Sequence, residues 1–168
     1  MPSRTEYLDI VDQEDRVIGK ASRAEIHGDP RKIHRVAHVL LFNSRGELFL
    51  QKRSCLKDVQ PGKWDTSVGG HLDAGEDYET AARREMEEEL GVRVVKLEYL
   101  YKYRHGNDYE TEYVTSYACL WDGPVKTCPQ EIEEGRFWKL EEIDAAPKGR
   151  FTPNFLEELA RYRSGKRG

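Results

Sequence analysis

A cluster of carboxylates near the end of one predicted helix constrains this chain more than any other feature of its sequence. Residues 69–92 read GGHLDAGEDYETAARREMEEELGV. Like charges three or four residues apart on a helix each cost roughly 0.2–0.5 kcal/mol, and anions near the carboxyl end oppose the helix dipole. Helix stability alone does not favour this arrangement. The glutamates concerned are Glu85, Glu87, Glu88 and Glu89.

The helical period places three of these carboxylates together. At about 100° per residue, Glu85, Glu88 and Glu89 share an arc about 100° wide, and Glu87 points to the opposite side. Three carboxylates at positions i, i+3 and i+4 suit a hard divalent cation such as Mg²⁺ or Mn²⁺, which would relieve their repulsion. The alternative is an ordinary solvated helix face. Apolar residues form a second face that we expect to pack on the core: Ala82, Met86 and Leu90.

Length and charge exclude several classes of protein. The chain has 168 residues, of which 38% are hydrophobic, so we expect one globular domain spanning residues 1–168. Its 27 basic and 31 acidic residues nearly cancel, and no global positive field predicts nucleic-acid binding. No apolar run approaches the roughly 18 residues of a membrane span. We predict a soluble protein that is a monomer or a homodimer.

The cysteines indicate the cellular compartment. Cys55, Cys119 and Cys128 are odd in number, form no CxxC pair and follow no secretory signal. Reduced thiols in the cytoplasm are therefore expected.

The pattern along the chain predicts an α+β fold with a mixed, curved sheet. A hairpin at the edge of the domain is expected at about residues 6–20, followed by a helical turn in SRAEIHG. Strands near Arg35–Phe42 and Glu47–Lys52 flank the turn NSRG. Further strands are predicted in the segments WDTSVGG, VRVVKLEYLYKYRH, TEYVTSYACLWDG and GRFWKL. A helical turn in LEEIDAA and a helix in TPNFLEELARYRSG, with Thr152 as N-cap, complete the chain.

The acidic segment resembles the Nudix box. That motif reads Gly, five residues, Glu, seven residues, then Arg-Glu-apolar-x-Glu-Glu-x-Gly-apolar. This chain has every fixed position, over residues 70–92. The resemblance implies an α/β/α sandwich and a hydrolase of nucleoside diphosphates linked to another group, which acts on small molecules with Mg²⁺ or Mn²⁺. The matching residues are Gly70, Glu76, Arg84, Glu85, Met86, Glu88, Glu89, Gly91 and Val92.

The resemblance also implies roles for individual residues. Glu85, Glu88 and Glu89 match metal ligands, and a backbone carbonyl at Gly70 lies where it can reach the metal. Glu76 and Arg84 match residues that brace the box. The implied catalytic residues are therefore Glu85, Glu88 and Arg84. Metal ions would polarise the phosphoryl oxygens and activate the attacking water.

Two further roles stay open at the level of the sequence. The general base is Glu85 or a loop glutamate such as Glu110 or Glu112. Arg53 and Lys63, with Lys52 and Lys57, flank the box in sequence and are candidates for binding phosphate. Basic surface side chains are, however, often only solvated.

A second resemblance is to type I isopentenyl-diphosphate isomerase, which shares the Nudix fold. Five residues match its metal-binding constellation: His27, His34, His71, Glu110 and Glu112. The catalytic cysteine of that enzyme would fall at Gly69, which has no side chain to transfer a proton. The alternative for His34 and His38 is a local hydrogen bond within a strand. We interpret the chain as a hydrolase of the isomerase-like branch, since a noncatalytic Nudix module would be expected to have lost carboxylates of the box.

The helical period can be tested with two adjacent substitutions. Glu88→Gln should lower metal-dependent turnover by orders of magnitude because it removes a ligand, whereas Glu87→Gln should leave turnover nearly unchanged. Steady-state kinetics on the two folded proteins checks this expectation. Equal losses in both variants would show that the two faces of the helix are wrongly assigned.

Overall fold

The computed structural model describes residues 6–57, 60–94, 96–130 and 132–165. These residues form strands, α-helices and one 3₁₀ turn. In chain order they are β1 (Tyr7–Val11), β2 (Val17–Ser22), α1 (Arg23–Ile26), β3 (Ile33–Phe42), β4 (Leu48–Arg53), β5 (Trp64–Asp65), β6 (Val68–His71), α2 (Tyr78–Leu90), β7 (Glu98–Gly106), β8 (Thr111–Leu120), β9 (Ile132–Trp138), α3 (Leu140–Ala145), a 3₁₀ turn (Lys148–Arg150) and α4 (Pro153–Ser164).

Strand β3 lies at the centre of a mixed sheet. It pairs in parallel with β8 along its whole length, from Ile33 opposite Thr111 to Phe42 opposite Leu120. On its other side it pairs antiparallel with β6. Strand β7 extends the sheet beyond β8, and the hairpin β1–β2 joins β3 near its start. Strand β4 follows β3 through a turn and pairs antiparallel with β5 and β9.

Two apolar cores lie on opposite faces of this sheet. Successive side chains of a strand point to opposite faces, so alternate residues of β3 enter different cores. The core under α2 contains Ala37, Val39, Leu41, Val68, Ala82, Met86 and Leu90. The core under α3 and α4 contains Leu40, Leu48, Leu50, Trp64, Trp138, Ile143, Phe151, Phe155 and Leu159. The predicted α/β/α arrangement with a mixed sheet is confirmed.

Most predicted elements form close to their predicted bounds. The N-terminal hairpin is present, and both strands around NSRG agree to within two residues. Thr152 caps α4 by accepting a hydrogen bond from the Phe155 N–H at 3.1 Å, and Pro153 is in the first turn. No helix in the described ranges is long and apolar enough to cross a membrane. The last three residues, KRG, for which the sequence predicts a frayed basic tail, lie outside the described residues.

One long strand begins later than predicted. The segment VRVVKLEYLYKYRH was expected to be extended throughout, but β7 begins only at Glu98. Val92 follows the left-handed cap of α2 and is fully buried, while Val94 and Leu97 pack against the core under α2. These apolar side chains are buried by the helix and not by strand pairing, which explains the false signal.

Candidate active site

Helix α2 presents its acidic face to a cavity of about 600 Å³. The helix begins at Asp77, whose side chain accepts from the Thr80 N–H at 2.8 Å, and it ends at Gly91 in the left-handed conformation. As predicted, Ala82, Met86 and Leu90 are buried. The predicted metal ligands Glu85, Glu88 and Glu89 all line the cavity. Among the described residues, Glu87 does not line the cavity and pairs with Arg93 instead, so the prediction of two different faces is confirmed.

Arg84 holds the loop before the helix against the acidic face. Its guanidinium binds Glu76 through two bonds of 2.8 Å, a bidentate pair that fixes both groups. The same guanidinium contacts Glu85 Oε1 at 2.8 Å and Glu88 Oε2 at 3.3 Å. The hydrogen bond from Arg84 lowers the pKa of Glu76, which also accepts from the Asp73 N–H at 2.9 Å. The predicted bracing pair is therefore in contact, and it offsets part of the carboxylate repulsion.

The side chain of Glu85 packs against the backbone of Gly70. A Cβ added at Gly70 would stand 2.3 Å from Glu85 Cδ and 2.5 Å from its Oε1, closer than any real contact. The carboxylate therefore packs directly on the backbone of β6. This close approach explains the physical need for glycine at the first position of the box.

Other polar residues complete the walls of the cavity. The Gln51 side chain donates to Glu89 Oε1 at 2.8 Å and to the Ser67 carbonyl at 2.9 Å. Arg53 lines the cavity 3.6 Å from the Asp65 carboxylate, and Lys57 lines it as well. Lys63 and Lys52 are not among the described residues that line it. Position thus supports phosphate contact for Arg53 and not for Lys63, and sequence reasoning missed Gln51.

The five residues of the second predicted site lie together, and three of them line the same cavity. The ring centroids of His27, His34 and His71 lie 4.9–5.8 Å from one another. His34 Nε2 is 3.1 Å from Glu112 Oε2, and His27 Nε2 is 3.4 Å from Glu110 Oε2. His71 and both glutamates line the cavity that the box carboxylates also line. Residues of both predicted sites therefore line one cavity.

Burial favours the neutral form of His71 and of His27. Burial, and then the neighbouring His34, lower the pKa of His71 to about 3. Burial likewise lowers the pKa of His27, whereas it raises the pKa of Glu110. His34 is fully buried, and its Nδ1 has no hydrogen-bond partner among the residues that the structure describes. Neutral imidazoles beside carboxylates form a donor set suited to a divalent metal.

His38 also faces the cavity, and its partner is distant in sequence. Its Nδ1 lies 2.7 Å from Glu158 Oε1 in α4. The sequence alternative of a purely local hydrogen bond is therefore wrong for this histidine. Glu158 is almost fully buried, and sequence reasoning assigned it no role. A signal that could have found it is its spacing of three residues from Phe155 and one from Leu159, which places it on the apolar side of the helix.

Comparison with known proteins identifies the family of this chain. Residues 32–159 match the model of the NUDIX domain. The chain is 37% identical to an uncharacterized Nudix hydrolase of Pseudomonas aeruginosa, with 95% of each chain covered. It is 33% identical to the uncharacterized Nudix hydrolase YfcD of Escherichia coli, covering 93% of this chain and 86% of YfcD. The chain belongs to the Nudix family and is an enzyme of the Nudix hydrolase type.

Solved structures share the same fold. The crystal structure of DR0079 from Deinococcus radiodurans superposes with a TM-score of 0.76 and 29% identity, covering 96% of this chain and all of that one. The NUDIX domain of NrtR from Shewanella oneidensis, complexed with ADP ribose, has a TM-score of 0.64 at 17% identity. It covers 77% of this chain and 86% of that domain. At that identity the likeness establishes the fold alone.

The contact between Gly70 and Glu85 can be tested with one methyl group. Gly70→Ala should displace the Glu85 carboxylate and weaken metal binding about tenfold, or about 1.4 kcal/mol. The rise in melting temperature on adding Mg²⁺ or Mn²⁺ should therefore be smaller than in the wild type. Gly19→Ala is the matched control because nothing lies within 4 Å of a Cβ at Gly19. An unchanged metal-dependent shift in Gly70→Ala would contradict the assigned contact.

Proposed function

We propose that this protein hydrolyses a diphosphate linkage in a nucleoside diphosphate derivative or a related organic diphosphate, with Mg²⁺ or Mn²⁺. The observation that carries the proposal is the convergence of Glu85, Glu88 and Glu89 on one cavity. These residues fit a hard cation, because they offer carboxylate oxygens and because Glu85 lies on a backbone without a side chain. The Gly70 carbonyl is a further candidate ligand.

The cation and the chain have separate tasks in this reaction. When bound, the cation supplies Lewis acidity toward the phosphoryl oxygens and neutralises their charge. Arg84 fixes Glu85 and ties the helix to the loop that carries Glu76, so the ligands are held in place before the substrate arrives. Arg53 and Lys57 line the cavity as cations that can receive phosphate. Each of these residues acts by position and charge.

The general base is a carboxylate of the same cavity. Glu85, Glu110 and Glu112 all line it, and each can accept a proton from an attacking water.

The alternative activity is isomerisation of isopentenyl diphosphate. The histidine and glutamate cluster favours it, but Gly69 cannot deliver a proton to a carbon–carbon double bond. The NrtR domain binds ADP ribose, a nucleoside diphosphate derivative. That comparison supports nucleoside diphosphate derivatives as the first substrates to test.

The proposed reaction has a direct test. We expect the purified protein to release phosphate or a nucleoside monophosphate from one member of a panel of nucleotides, nucleotide sugars and isoprenoid diphosphates. Turnover should require Mg²⁺ or Mn²⁺ and should stop with EDTA. Turnover that persists in EDTA would refute the metal mechanism. Interconversion of isopentenyl and dimethylallyl diphosphates, followed by NMR, would favour the alternative.

We also propose that the histidine cluster holds a second metal ion. Three histidine nitrogens lie within 4.8 Å of one another, as do the ligand atoms of His34, Glu110 and Glu112. Imidazole ligands favour transition metals over Mg²⁺. The two sites should therefore differ in the metal that each prefers.

The second site is tested by counting bound ions. Equilibrium dialysis against Mn²⁺ should yield one bound ion fewer for His71→Gln than for the wild type. His105→Gln serves as the control, because His105 pairs with Glu157 and does not line the cavity among the described residues. The same metal content in His71→Gln and the wild type would exclude the second site.

A further inference from the structure

His38 reaches the cavity from a strand of the sheet, whereas the carboxylates of the box reach it from helix α2. It belongs to β3 and lies on the face that carries Leu40, toward α4. Its ring lines the cavity together with Gly69 of the neighbouring strand. Its side chain is 13% exposed, so the ring is mostly enclosed but not sealed from the cavity.

Glu158 fixes the orientation of this ring. The carboxylate is 1% exposed and accepts from His38 Nδ1 at 2.7 Å, the Ser116 hydroxyl at 3.0 Å and the Tyr103 hydroxyl at 3.2 Å. The Tyr101 hydroxyl donates to its other oxygen. Burial raises the pKa of Glu158, but the hydrogen bonds, first that of His38, hold it below its usual value. An ionised carboxylate surrounded by donors requires that Nδ1 carry a proton.

Gly69 leaves the other edge of the ring uncovered. A Cβ at Gly69 would lie 3.1 Å from His38 Cδ2 and 3.4 Å from Nε2. The edge that bears Nε2 therefore faces β6 at the point where that strand lines the cavity. A larger residue at position 69 would cover this nitrogen, whereas glycine keeps it accessible.

We infer that His38 contacts the substrate: its Nε2 donates a hydrogen bond to an oxygen of the bound diphosphate, and Glu158 is the residue that positions it. The inference rests on the proposed function. His38 adds a donor to the basic side chains Arg53 and Lys57, which line the same cavity as the box carboxylates. No proton is transferred in this contact, which binds and orients the anion.

The charge state of His38 agrees with this role. Burial lowers the pKa of His38, but the hydrogen bond and the charge of Glu158 outweigh burial and hold the pKa above its usual value. An imidazolium can donate from both nitrogens at once. A charge-assisted bond to phosphate is stronger than a neutral one.

Kinetics with a double-mutant cycle test the pair. His38→Asn should lower kcat/KM about tenfold to a hundredfold, mainly through KM, as expected for a lost hydrogen bond to a charged group. Glu158→Gln should lower it less. The double variant should be no worse than His38→Asn alone, because Glu158 acts through His38. Glu157→Gln is the matched control, since this adjacent, half-buried glutamate of α4 does not line the cavity among the described residues and pairs with His105 and Arg161.

Two kinetic results would overturn the inference. One is an unchanged kcat/KM in folded His38→Asn. The other is an equal loss from Glu158→Gln in the wild type and in the His38→Asn background, since that loss would reflect the fold and not the ring. Thermal melting of each variant establishes that it is folded.

NMR of the wild type tests the contact without any variant or any turnover. The protein is labelled with ¹⁵N-histidine and titrated with Mg²⁺ alone, then with Mg²⁺ and imidodiphosphate, which cannot be hydrolysed at its bridge. The Nε2 resonance of His38 should shift in the second step only, while Nδ1 keeps its proton. An unmoved Nε2 resonance at millimolar imidodiphosphate would overturn the inference. A shifted resonance in a protein without hydrolase activity would refute the proposed function and leave the contact standing.

Discussion

The pairing register of β3 is the constraint on which the rest of the site depends. A shift of one residue would move every side chain of the strand to the other face of the sheet. In the observed register Ala37, Val39 and Leu41 enter the core under α2. The intervening His34 and His38 face the other way, toward Glu112 and Glu158. Ten residue pairs with β8 hold this register, so the same hydrogen bonds that build the sheet also aim the histidines.

Two groups of acidic residues share the cavity, and a different basic partner offsets the negative charge of each group. At the box helix, one positive charge, that of Arg84, is shared by four carboxylates. They are Asp73, Glu76, Glu85 and Glu88. At the loop end of β8, His34 supplies the nearest partner of Glu112. Arg84 also donates to the His71 carbonyl at 3.2 Å, which ties the two groups together. Glu112 is buried, and burying such a carboxylate without a partner would cost several kcal/mol.

Local patterns predicted the elements well where a single residue type decides the structure. The caps of α4 and the turn NSRG depend on side chains within a few positions, and both form as expected. The predicted start of β7 was wrong because the valines before it pack under helix α2 and do not belong to a strand. An apolar residue signals burial, and burial alone does not specify whether a strand or a loop supplies it.

The sequence by itself determined the box: its spacing specified a helix with Glu85, Glu88 and Glu89 on one face, because helical geometry acts over a few residues. Only the tertiary structure decided which distant groups meet these carboxylates. The pair of His38 and Glu158 spans 120 positions in the chain, and the contact between Gln51 and Glu89 spans 38. No period along a chain encodes such pairs, since they form only when sheet register and helix packing bring two faces together.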